Sequence, residues 1–403
     1  MHCNLIRVGI VLLTAATLAA CSSNSNVQGT ATTAAPPTTT AGAGADGVDV
    51  AALKPGNYPT APLPEEPWSV QGAIRMQAKQ MADFVVGPWE VDPALTGLHI
   101  TPVVIIDAEN LKGVLLEAGT VAAKHHFINA FSSTRTDGDD ADSKKLVTMV
   151  MRFPTSEDAA AAATETSAAL GTYLKAGAQE MAFIPGHPEA QATQSPQVGG
   201  KYQVTSLTPH GPFVLYQEAT SSENAEAAAA LVAKTLDLQA PRIDTYHPTD
   251  PAQKTSLDPT GLVARTIPDV NTKTAGVYGV RGAVHFDQNP VRSGERYNAA
   301  GVDFTAAGTT QVIQAKDPAA AAAYASGLFD ANSAGQEPGP TVPGLPAAKC
   351  LQNPRTGNNA DPTAPPTYRC IAPMGRWVVL AAGQQAAAVT QQIAAQYLML
   401  IGK

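Results

Sequence analysis

The chain has 403 residues, of which 44% are hydrophobic, 15% charged and 5% aromatic, and its formal charge is −8 at pH 7. A mildly acidic surface excludes the basic footprint that nucleic acid requires, so no nucleic-acid partner is expected. Alanine carries much of the apolar count, which predicts a globular body with a small-residue core.

The first twenty residues read as a lipoprotein leader. Arg7 is the single positive charge, Val8 to Ala20 is an uncharged and mostly apolar run, and Leu18-Ala19-Ala20-Cys21 closes it. The run is about 13 residues long, against the roughly 20 that a membrane span needs. The small residues before Cys21 form a lipobox pattern, so Cys21 is expected to be the lipidated first residue of the mature chain. A diacylglycerol thioether adds two acyl chains, and two chains hold a protein on a bilayer where one is marginal. The expected location is the cell membrane, lipid-anchored on the extracytoplasmic side, with palmitate among the acyl groups. Cys3 is removed with the leader. Residues 21–48, rich in Ser, Thr, Ala, Pro and Gly, form a tether too polar to fold alone, and its Thr/Pro composition permits O-glycosylation. Roughly 350 residues remain, enough for two domains: an N-terminal α+β domain over 49–240, a linker over 241–258 and a C-terminal α+β domain over 259–403.

With Cys3 removed and Cys21 lipidated, Cys350 and Cys370 remain. An exported chain with one remaining pair points to a disulfide, and the spacing is far from the Cys-x-x-Cys of redox proteins. The segment between them is full of Pro, Asn and Gly, so a Pro/Gly loop carrying both cysteines is expected.

In the body, Ser69 caps a helix to about Phe84, with Val70, Ile74, Met81 and Phe84 on one face and Arg75, Lys79 and Gln80 mostly off it. Leu53-Lys54-Pro55-Gly56-Asn57-Tyr58-Pro59-Thr60-Ala61-Pro62, then Arg75-Met76, then Val85-Val86-Gly87-Pro88-Trp89-Glu90-Val91-Asp92-Pro93 resembles an uncharacterised family of actinobacterial, mycobacterial-type lipoproteins with N- and C-terminal domains. The resemblance implies a cell-envelope location over the whole body and carries no activity and no catalytic residues.

Strands are expected at Thr101 to Ile106, Phe127 to Phe131 and Leu146 to Phe153, with the acidic run Asp137 to Asp142 a solvated turn that fails the calcium-loop pattern. Thr155 and Asp158 form a capping box for a helix to about Leu174, and residues 177–200 read as a polar loop. Tyr202 to Leu207 and Pro212 to Glu218 form a hairpin about the turn Thr208-Pro209-His210-Gly211, and Thr220 with Glu223 caps a helix to about Leu238. The same grammar returns: a strand over Thr310 to Ala315, Asp317-Pro318 opening a helix to Phe329, a strand at Tyr368 to Ile371, a turn at Ala372 to Gly375, a return strand to Ala381 and a helix from Gln384 to Leu400. A single shift of 164 aligns Pro154 with Pro318, Pro209 with Pro373, Gly211 with Gly375 and Phe213 with Trp377. The fold class is therefore α+β: two related units, each a small, mainly antiparallel sheet packed with Ala-rich helices.

The local motifs of serine hydrolases, zinc peptidases and phosphate-binding loops are absent from the sequence. His125-His126 would point to opposite faces of a strand, and Glu90 with Asp92 would share a face if extended. Neither pair defines a site, so no catalytic residue, metal or cofactor is assigned. The expectation is a non-enzymatic binding or scaffold module with a protein or lipid ligand in the groove between like domains. The alternatives are an envelope hydrolase with a dispersed active site and an accessory subunit of an export or signalling system.

Overall fold

A computed structural model describes residues 47–138, 143–173, 180–197, 199–270, 273–353 and 365–401. The expected leader, Cys21, the expected tether as far as residue 46, residues 139–142 of the acidic run and residues 354–364 between the two cysteines lie outside them.

Strands β1 (Val103–Ile105), β2 (Asn129–Thr136), β3 (Lys145–Arg152), β4 (Glu180–Met181), β5 (Gln191–Gln197), β6 (Lys201–His210) and β7 (Phe213–Ser221) form one antiparallel sheet. Its order is β1-β2-β3-β7-β6-β5-β4. Strands β8 (Gly276–Gly279), β9 (Phe304–Ala307), β10 (Thr310–Gln314), β11 (Glu337–Pro338), β12 (Lys349–Asn353), β13 (Thr367–Met374) and β14 (Trp377–Gly383) form the second, in the order β8-β9-β10-β14-β13-β12-β11. Strand for strand the two orders are the same, so the duplication expected from the constant shift is a duplication of topology. It is larger than the strand, helix, hairpin and helix read from sequence.

The helices are α1 (Val70–Met81), α2 (Pro88–Val91), α3 (Ala108–Leu115), α4 (Gly119–Ala123), α5 (Ser156–Tyr173) and α6 (Ala225–Ile243), then α7 (Val280–Val284), α8 (Pro290–Ala300), α9 (Pro318–Ser333) and α10 (Ala386–Ile401). In the first half α5 lays Ala159, Ala163 and Leu170 on one face of the sheet, against Met149, Leu207 and Val214. α6 lays Ala228, Val232 and Leu236 on the other, against Val150, Val204 and Leu215. The second half repeats this with Ala321 and Ala325 of α9 on Ile313 and Val378, and Val389 and Ile393 of α10 on Val312 and Val379. Alanine on the facing helix lets helix and sheet approach closely, which is how a core so poor in aromatics still excludes water. One cluster takes in both the α6 face of the first sheet and the α9 face of the second. The halves are thus joined unlike face to unlike face through a continuous core.

Several expectations change. The hairpin strands run through Thr208-Pro209-His210 and through Ala372-Pro373-Met374, because Gly211 and Gly375, with φ +53° and +59°, make two-residue turns on their own. The expected loop 177–200 contains β4 and β5; β5 is Gln-Ala-Thr-Gln-Ser-Pro-Gln, which has no apolar alternation to betray it. β2 begins at Asn129 and continues through polar residues that are nonetheless buried, among them Ser133 and Arg135. Asn224, accepting from the Ala227 amide at 2.8 Å, caps α6, while Thr220 still belongs to β7. α6 continues past Leu238 and through Pro241 to Ile243, held there by burial of Ile243 and by the bidentate pair of Arg242 with Glu90, 2.7 Å at each oxygen.

The segment 47–66 crosses to the second half. Val48 and Leu53 pack with Val342, Leu345 and Val389, the Asp49 amide donates to the Gly344 carbonyl at 3.0 Å and the Leu63 amide to the Ala264 carbonyl at 2.7 Å. Val48, read as the last tether residue, is therefore in the core. The segment after α6 is likewise docked: the Tyr246 hydroxyl donates to the Gln77 carbonyl at 2.9 Å, tying residues 244–250 to α1.

Candidate functional site

α1 begins where the Ser69 hydroxyl accepts from the Gly72 amide at 3.0 Å. Its residues Gly72, Arg75, Met76, Lys79 and Gln80, with Asp83 in the turn that follows, line a cleft of about 350 Å³. Spacings of three and four place them on one helical stripe. The facing wall is the β8–β9 edge of the second sheet, with Val277, Phe304 and Ala306, and residues 63–66 and 257–269 close the remaining sides. The volume is at the small end of the range of about 300–1,000 Å³ found for small-molecule sites.

Most polar groups around the cleft are engaged in building it. The Glu65 carboxylate accepts from the Ser256 hydroxyl and the Leu257 amide, both at 2.6 Å, and from the Asp258 amide at 3.2 Å. Those hydrogen bonds, that from Ser256 foremost, hold its carboxyl below the usual range. Asp258 accepts from the Leu262 amide at 3.1 Å and the Ala264 amide at 2.9 Å, folding the 258–264 turn. Asp83 accepts from the amides of Gly279 at 2.9 Å and Gly282 at 2.8 Å, while burial pushes its carboxyl up. A side chain at position 279 would put its Cβ 2.5 Å from an Asp83 oxygen, so this approach needs glycine.

The cations differ. Lys79, only 7% exposed, donates to the Ala275 carbonyl. Burial pushes its ammonium down to about 8, Arg75 beside it acts in the same direction and Glu66 opposes them. Arg75 meets Glu66 at 3.5 Å, and the Glu66 side chain is 55% exposed. Sequence reading placed Arg75 and Lys79 off the working face of α1. The signal that marks them is a charged residue at 75, 79 and 83, every fourth position from α1 into the turn that follows it, in a chain poor in charge.

A second polar cluster lies between the halves. The Arg135 guanidinium donates to the carbonyls of Thr96 at 2.9 Å, His285 at 2.6 Å and Asp287 at 2.8 Å, and lies over the Trp89 ring. His285 shares a hydrogen bond of 2.9 Å with the Ser133 hydroxyl. Both residues are sealed from solvent, with Trp89 and Phe131 against the imidazole, so no substrate reaches this pair.

The residues weighed from sequence stay apart. Cys350 and Cys370 form a disulfide, and they sit in β12 and β13 rather than on a Pro/Gly loop, because the two strands carry them as directly facing partners. His125 and His126 follow α4 in a turn and pair separately with Glu165 at 3.1 Å and Asp158 at 3.0 Å. Glu90 is in helix α2 and pairs with Arg242, while Asp92 pairs with Lys144 at 2.9 Å, so the two carboxylates do not work together. Among the described residues no group of three or more His, Cys, Asp or Glu could hold a metal ion, and no helix is long and apolar enough to cross a membrane.

Fold and site together define a duplicated α+β chain with a ligand-sized cleft between its halves. Residues 65–259 match the family described as "Domain of unknown function (DUF7373) N-terminal", and residues 258–403 match its C-terminal counterpart. The chain belongs to the DUF7373 family, and both family domains line the cleft. No curated protein matches it. Among solved structures, the extracellular domain of PknH from Mycobacterium tuberculosis is similar over 38% of this chain and 91% of its own, at 15% identity and a TM-score of 0.29.

Proposed function

We propose that this chain is a cell-envelope lipoprotein, anchored through Cys21, that binds a small ligand between its two halves without transforming it. The observation that carries the reading is the cleft itself. Its apolar lining comes from Met76 of α1, Val277 and Phe304 of the β8–β9 edge and Leu63, Leu257 and Ile267 of the closing segments, and the carboxylates of Glu65, Asp83 and Asp258 are committed to holding those walls in place. Groups tied up in this way position a pocket and are poor candidates for acid–base work. The anchor reading is supported by the apolar leader ending in Leu18-Ala19-Ala20-Cys21.

Nile red, a neutral dye that brightens in apolar surroundings, tests the cleft. The purified chain is expected to bind it at one site. Val263→Trp, at a cleft residue that is 45% exposed, fills the mouth without disturbing the core and should abolish that signal. Absence of binding to the wild type, or equal binding by the variant, overturns the reading. For the anchor, Cys21→Ala should move the chain from the membrane fraction to the soluble fraction; an unchanged distribution refutes lipidation there.

A further inference from the structure

On the reading that the cleft binds a ligand, we propose that this ligand is an apolar molecule carrying one secondary amide, whose N–H and C=O pair with the backbone of Val277. β8 is an edge strand and pairs with β9 on one side only. Along an antiparallel strand, residues that exchange hydrogen bonds with the partner alternate with residues whose backbone groups point away from it. Two contacts show which residues of β8 point away. The Ala275 carbonyl, just before the strand, accepts from the Lys79 ammonium, and the Gly279 amide donates to Asp83 at 2.9 Å. Both partners come from α1 and the turn that follows it. Val277 lies midway, two residues from each, so its own N–H and C=O point the same way, out of the sheet edge and toward α1.

That is the direction of the cleft, which α1 and the β8–β9 edge enclose and which Ala275, Gly276, Val277 and Gly279 line. Among the described residues nothing takes up the outward N–H and C=O of Val277. A ligand made of hydrocarbon alone would drive water from these two groups and leave them unsatisfied, which costs free energy. A secondary amide offers one donor and one acceptor at the spacing of a neighbouring strand, the chemistry by which extended peptides add to sheet edges. Lys79 and Asp83 already hold the groups on either side, so the edge has room for one amide and not for a strand. Met76, Ile267 and Phe304 offer hydrocarbon to the rest of the ligand, in a volume of about 350 Å³ that suits a slender molecule.

The test is displacement of Nile red from the full chain by N-butyloctanamide, by its ester counterpart butyl octanoate, and by N-butyl-N-methyloctanamide, which lacks the N–H. The secondary amide should displace the dye at about tenfold lower concentration than either, since it alone satisfies both Val277 groups. Hydrogen exchange of the Val277 amide, followed by NMR, should slow when the secondary amide is bound. Equal or lower potency of the secondary amide overturns the proposal, and so does binding of that compound with Val277 exchange unchanged. Either failure leaves dye binding intact, whereas failure of the cleft reading removes dye binding itself.

Discussion

Cys350 and Cys370 face one another directly across β12 and β13, and the first sheet holds Ala192 opposite Ser206 at the same place in its own pair of strands. The bridge is thus an addition to one copy of a shared scaffold that stands without it in the other. It closes a loop with a sequence separation of 20.

Reduction, or the double change Cys350→Ala/Cys370→Ala, should therefore lower stability by about 3 kcal/mol, the loop-closure contribution for this length, while the fold survives. Conversely, Ala192→Cys/Ser206→Cys should oxidise to a second bridge. Urea denaturation with and without reductant reads both; a reduced chain that fails to fold contradicts the first expectation.

Arg135 ties the two halves: its guanidinium donates to the Thr96 carbonyl of the first and to the carbonyls of Val284, His285 and Asp287 of the second. Arg135→Met should cost about 3 kcal/mol or more, since buried acceptors lose their donor. Arg135→Lys should recover less than half of that, because an ammonium cannot reproduce the planar fork. Urea midpoints that barely move for Arg135→Met would show that the halves hold without this contact.

His285 and Asp287 make the same interface sensitive to acid in opposite senses. Burial pushes the His285 imidazole down to about 4 and the Asp287 carboxyl up to about 6. The unfolded chain protonates His285 near 6.5 and the folded chain only near 4, so this residue subtracts stability as pH falls through that window. The folded chain keeps Asp287 protonated up to about 6 while the unfolded chain does so only to 3.8, so Asp287 adds stability at low pH that is lost as pH rises. His285→Gln removes the first effect and leaves the second. Measured against wild type, the variant should gain as pH falls from 6.5 to 4, by about 3 kcal/mol at most. A stability difference that is flat with pH would refute the shifted imidazole.

The duplicated hairpins and their flanking helices were legible in the sequence because glycine turns, proline starts and apolar strands are local signals. Gly211 and Gly375, Pro154 and Pro318 all fell on a single shift. β5 was not legible, since Gln191 to Gln197 pairs with β6 through its backbone and offers no alternation of apolar side chains. β8 and β9 were missed because Gly276 to Gly279 and Phe304 to Ala307 are too short to show a period. The polar run Ser132 to Arg135 has no apolar signal for burial, and the other half of the molecule, supplying carbonyls to Arg135 and an imidazole to Ser133, explains the burial of those two. The cleft was hidden for the same reason: Lys79 and Ala275 meet across 196 positions of sequence.

Because residues 47–66 run onto the second sheet, the order of the family domains along the chain is not the order in which the molecule comes apart. A C-terminal piece cut at residue 258 would lose the Val48 and Leu53 contacts that cover its own core and the Glu65 side chain that steadies its first turn. An N-terminal piece would carry that segment with nothing to lie on. Dissection of this protein calls for re-wiring, with 47–66 grafted ahead of the C-terminal half, before either portion can be expected to behave as it does in the intact chain.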